Sequence, residues 1–123
     1  MRTHHYTLTS RFALTVLLGI AASSTYAADG HAEKASVPED AARVHIVDFM
    51  RFEPETIEVE AGTTVVWTNY DGSNHKVKLP GVPPSPRMHM ESTWMYTFKE
   101  PGTYDYSCAM HPKMKGTVVV KAP

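Results

Sequence analysis

The sequence predicts an all-β protein built as a sandwich of two sheets. Three observations predict it. Short β-type runs recur at 44–49, 56–59, 63–68, 93–98, 103–107 and 117–121. Turn residues separate them at Ala61-Gly62, Asp71-Gly72, 80–86 and Pro101-Gly102, and no stretch keeps a helical period. At 123 residues the chain has room for one domain with its own core, and not for two.

Taken in order, the chain opens with a segment outside that domain. Arg2 and Arg11 flank a polar start, an apolar run extends from Phe12 to Ala22, and Thr25-Tyr26-Ala27 offers small residues where a signal peptidase reads. The run is far shorter than the roughly 20 apolar residues of a membrane-spanning helix. Residues 1–27 therefore read as a secretory signal peptide cut after Ala27, with an uncleaved anchor as the alternative. Removal leaves ten basic against 13 acidic residues, a formal charge of −3. That excludes a strongly basic nucleic-acid binder, and a cleaved chain is expected to leave the membrane. Residues 28–42 carry no apolar period and read as a flexible arm, with His31 solvated, ahead of a domain at 43–123.

Within the domain several runs alternate as half-buried strands do. In Thr56-Ile57-Glu58-Val59-Glu60 the apolar pair faces one way and the acids the other. Trp94, Tyr96 and Phe98 share a face, and with Trp67, Tyr104 and Tyr106 they read as core aromatics rather than a cofactor platform.

The chain has one cysteine. Exported proteins work where disulfides form, so a single thiol needs burial, a partner chain or a metal. Cys108 begins Cys108-Ala109-Met110-His111-Pro112-Lys113-Met114, between two predicted strands. Cys, His and Met at intervals of three let one tight loop aim thiolate, imidazole and thioether at one point, with Pro112 limiting the freedom of the turn. A thioether is a poor zinc ligand and an acceptable weak axial ligand for copper, so the set points to copper. A trigonal copper site needs a second imidazole from a loop at the same end of the sandwich. His75, just after the Asp71-Gly72 turn, fits best; His45 reads as a partly exposed strand residue, and His89 is the other competitor.

These motifs resemble those of the cupredoxins, the type 1 blue copper proteins, and most closely the small amicyanin and pseudoazurin type. The resemblance covers residues 44–123. It rests on the Cys-x-x-His-x-x-Met loop with Pro112, on Pro101-Gly102-Thr103-Tyr104-Asp105-Tyr106 before it, on Gly116-Thr117-Val118-Val119-Val120 after it, and on Ala61-Gly62 leading into Val65-Val66-Trp67. It implies a Greek-key sandwich of about eight strands. His75, Cys108, His111 and Met114 would hold one type 1 copper, and the chain would shuttle single electrons in the periplasm to a cytochrome or other redox partner. Two positions depart from the family. Lys76 stands where an Asn usually ties the ligand loops together, with Asn74 before the His instead. The loop carries Ala109, Met110 and Lys113 where relatives have an apolar docking patch, so a different partner surface is expected.

Lys76, Lys78, Arg87, Lys113 and Lys115 lie near these motifs and read as a basic collar for an acidic docking face on a partner. Met88-His89-Met90, after the Pro-rich stretch 80–86, gathers two thioethers and an imidazole. With Met110 it offers a second, softer Cu(I) site, the signature of a rival reading as a copper tolerance or delivery protein. No second histidine cluster marks an open catalytic centre. The expectation is therefore a monomeric carrier and not an enzyme.

Overall fold

A period of two, apolar side chains in and polar side chains out, sets the strands. The computed structural model describes residues 36–123. They form β1 (Ala42–Val47), β2 (Arg51–Glu53), β3 (Thr56–Glu60), β4 (Thr64–Asn69), β5 (Val77–Lys78), β6 (Thr93–Thr97), β7 (Gly102–Cys108) and β8 (Lys115–Lys121). The signal peptide predicted over 1–27 and positions 28–35 of the predicted arm lie outside the described residues. β2 and β5 have no counterpart among the predicted runs, because three and two residues are too few to show a period. The run predicted at 44–49 ends at Val47. Phe49 and Met50 have φ of 67° and 55° and turn the chain back into β2.

One sheet has the order β2-β1-β4-β6 and the other β3-β8-β7-β5. β1 runs parallel to β4 and β3 parallel to β8, while the remaining neighbours are antiparallel. This is the mixed pairing of a Greek-key β-sandwich. Val44, Ile46, Val65, Val77 and Val118 are fully buried between the sheets. Trp67 is at the centre, with ring centroids of Trp94 and Tyr106 at 5.3 and 5.4 Å. Trp94, Tyr96 and Tyr104 are half-buried against that core and Phe98 is inside it.

Tyr106 pairs with Gly116 across β7 and β8, and its ring lies where a Cβ on residue 116 would stand. The glycine is therefore required by packing. Burial pushes the Tyr106 phenol up to about 12; the neighbouring Trp67 N–H opposes the rise and the Glu55 charge adds to it. Neither the Trp67 Nε1 nor the Tyr106 hydroxyl reaches hydrogen-bond geometry with any partner.

Register places the site. β7 and β8 stay paired up to Ser107 and Lys115, which forces the chain between them to turn at one end of the sandwich. Val77 pairs with Cys108, which brings the residues just before β5 to the same end.

Candidate metal centre

His75, Cys108 and His111 converge at that end, with one ligand atom from each within 4.8 Å of the others. Cys108 Sγ is 3.7 Å from His75 Nδ1 and 3.6 Å from His111 Nδ1, and the two Nδ1 atoms are 3.3 Å apart. These separations fit one ion. Bonds of about 2.0 Å to nitrogen and about 2.3 Å to sulfur would subtend angles of about 110–120°, a flattened three-cornered arrangement. His75 is 0% and Cys108 1% exposed, whereas His111 is half-buried. Met114, the last residue of the loop before β8, is 4% exposed. Its N–H donates to the His111 carbonyl, and its own carbonyl accepts from the Cys108 N–H, closing the turn.

The His75 side of the centre is held by a dense set of hydrogen bonds. His75 Nε2 donates to Asp71 Oδ2 at 2.8 Å, which leaves Nδ1 free to face the centre. Asn69, fully buried at the end of β4, shapes the loop that carries both residues. Its Nδ2 donates to the carbonyls of Ser73 and Met88, and its Oδ1 accepts from the Asp71 N–H. His75 and Met88 exchange backbone hydrogen bonds at 3.1 and 2.8 Å. Ser85, buried in the Pro-rich connection from β5 to β6, accepts from the Val77 N–H through Oγ. The tie between the two ligand loops is made by the backbone of Lys76. Its N–H donates to Cys108 Sγ at 3.5 Å and its carbonyl accepts from the Ala109 N–H at 2.8 Å. Because the main chain makes this link, it does not depend on an Asn at position 76.

Among the described residues, His45 and His89 stand outside this cluster. His45 is exposed on β1 with its ring edge-on to Tyr70 at 5.1 Å. His89 is exposed, and its Nδ1 lies 2.8 Å from Asn74 Oδ1. Met88 is 2% exposed in the core, and Met90 is 60% exposed. Asn69 and Asp71 were missed in the sequence because Asn-Tyr-Asp-Gly reads first as a turn; the spacing of four between Asp71 and His75 was the available signal. Also missed was the apolar surround of His111. It comes from the hairpin between β1 and β2, where Phe49 is 87% and Met50 47% exposed, together with Met110.

A Greek-key sandwich with two imidazoles and a thiolate gathered at one end defines a small metal-binding β protein. The sequence matches the Cupredoxin-like domain over residues 12–120, and the chain belongs to the cupredoxin family. It is similar to amicyanin of Paracoccus denitrificans, with 38% identity over 106 residues, 73% of this chain and 81% of that protein. It is also similar to amicyanin-alpha of Methylorubrum extorquens, with 40% identity over 78 residues, 58% of this chain and 66% of that one. Among solved structures, a mutant of amicyanin in its Cu(I) form superposes with a TM-score of 0.65 at 39% identity, covering 71% of this chain and 88% of its own. A purple cupredoxin from Nitrosopumilus maritimus superposes with a TM-score of 0.61 at 28% identity, covering 65% and 99%.

Proposed function

We propose that this protein is an exported single-electron carrier holding one copper ion between His75, Cys108, His111 and Met114. The observation that carries the reading is the set of three donor atoms 3.3 to 3.7 Å apart. Bound there, copper supplies one-electron chemistry by alternating between Cu(II) and Cu(I). Cys108 gives the thiolate, and the Lys76 N–H partly offsets charge on its sulfur. Asp71 orients His75 and sets its tautomer. Met114, buried at the end of the same loop, would add a weak thioether donor. With these donors held by strands and short loops, little has to move when an electron arrives or leaves. His111 alone of the four has an edge toward the surface, and it is the electron port.

The chain acts without bond chemistry of its own. Its partner is a redox protein, a cytochrome or a periplasmic oxidoreductase, with an acidic face that meets Lys76, Lys78, Arg87, Lys113 and Lys115. The signal-like segment 1–27 supports a periplasmic location and release from the membrane.

Copper titration of the mature protein, read by visible absorption and paramagnetic resonance, tests the reading. The expected result is one copper per chain and an intense thiolate-to-copper band that disappears in Cys108→Ser. No such band would overturn the reading. A second copper, lost on mutation of Met88 and Met90, would point instead to copper tolerance or delivery.

A further inference from the structure

Three of the four ligands above are sealed from solvent: His75, Cys108 and Met114 are 0%, 1% and 4% exposed. An ion reaches them past His111, which is half-buried. On that side an open cavity of about 580 Å³ is shared by the hairpin residues Phe49, Met50 and Arg51 and by Met110, His111 and Met114 of the ligand loop. The wall is chemically selective. No carboxylate lines it, and Arg51 and Lys113 both do. Hard divalent ions take oxygen ligands, and the two cationic side chains repel a divalent ion about twice as strongly as a monovalent one. Besides His111 and Met114, already assigned to the copper, the side-chain donors on this wall are the thioethers of Met50 and Met110, soft ligands suited to Cu(I).

Both methionines are unusually open for their type, at 47% and 39% exposure. Met50 is also held in an unusual backbone. It and Phe49 lie consecutively in the left-handed region, at φ 55° and 67°. Residues with a side chain enter that region at a cost, and such outliers persist where the surroundings or a function demand them. The hairpin tip thereby brings Met50 to the cavity that Met110 also lines.

We propose that Met50 and Met110 form a capture site for Cu(I), which takes the ion at their thioether sulfurs and passes it inward to His111 and Cys108. The inference rests on the copper reading above. The transfer is ligand exchange without redox change. Copper–thioether bonds break as copper–imidazole and copper–thiolate bonds form, the ion stays Cu(I), and the Cys108 thiol proton leaves to solvent.

The test is loading of the metal-free protein with Cu(I) as its acetonitrile complex under anaerobic conditions. Aliquots are quenched with a strong Cu(I) chelator, oxidised with ferricyanide and read at the thiolate-to-copper band; loading with Cu(II) is followed in parallel. Met50→Leu with Met110→Leu keeps the apolar bulk and removes the sulfurs. The variant is expected to load Cu(I) more slowly by about tenfold, to load Cu(II) at the wild-type rate, and to reach the same final band. Unchanged Cu(I) loading would overturn the capture site, and so would equal slowing for both ions, which marks a structural effect. Absence of the band in the wild-type protein would overturn the copper reading, and the capture site with it.

Discussion

The two histidines that meet at the centre are held in opposite ways. His75 is fully buried and fixed by Asp71, by the backbone exchange with Met88, and at one remove by Asn69 and Ser85. His111 is half-buried on a six-residue turn whose closure rests on two backbone hydrogen bonds. Its surface is completed by a hairpin from the other sheet. The difference teaches where rigidity and access are divided. The His75 side is fixed by long-range hydrogen bonds, and the His111 side faces the solvent.

Asn69→Ala should break this contrast most strongly. It leaves the buried Met88 carbonyl, the part-buried Ser73 carbonyl and the Asp71 N–H without their side-chain partner, so the metal-free protein should lose about 3 kcal/mol in urea unfolding. The His75 loop should then exchange amide hydrogens as readily as the His111 loop; retained protection would show that Asn69 does not hold it. Asp71→Ala is next. Removing the acceptor leaves the buried His75 Nε2–H without a partner, so the variant should bind copper about 10- to 100-fold more weakly in a chelator competition, and its metal-free form should lose about 1–2 kcal/mol of stability in urea unfolding.

The smallest effect is at the base of the His111 loop, where Tyr106 covers Gly116. The folded protein keeps this phenol neutral up to about 12, whereas the unfolded chain ionises from its ordinary value of 10.0. The stabilisation is thus present below pH 10 and is lost as pH rises toward the folded value. Between pH 10 and 11 the loss is about 1 kcal/mol. Tyr106→Phe should remove that component from the alkaline unfolding profile and cost little at pH 7, because the hydroxyl has no partner to lose.

Much of the fold was legible because strands announce themselves by local alternation. The runs at 56–59 and 117–121 fall within β3 and β8. β2 and β5 were not legible. Arg51–Glu53 and Val77–Lys78 are strands because of what they pair with, and pairing partners lie far away in sequence. The metal cluster divides in the same way. Cys108, His111 and Met114 stand on one turn, so their spacing alone brings them together. His75 was chosen from three candidate histidines by its place after a turn. The locks behind it, Asn69 and Asp71, had no comparable signal.

By itself, then, the sequence determined the β class, the family and the Cys-His-Met spacing of one turn, because all three are written in patterns a few residues long. Tertiary structure alone decided that the main chain of Lys76 binds the two ligand loops, that Asp71 orients His75, and that Met50 reaches the cavity beside Met110. The physical reason is separation. Chain connectivity settles which neighbours meet within one turn, whereas contacts across 30 or more residues depend on strand register and on how the buried side chains pack.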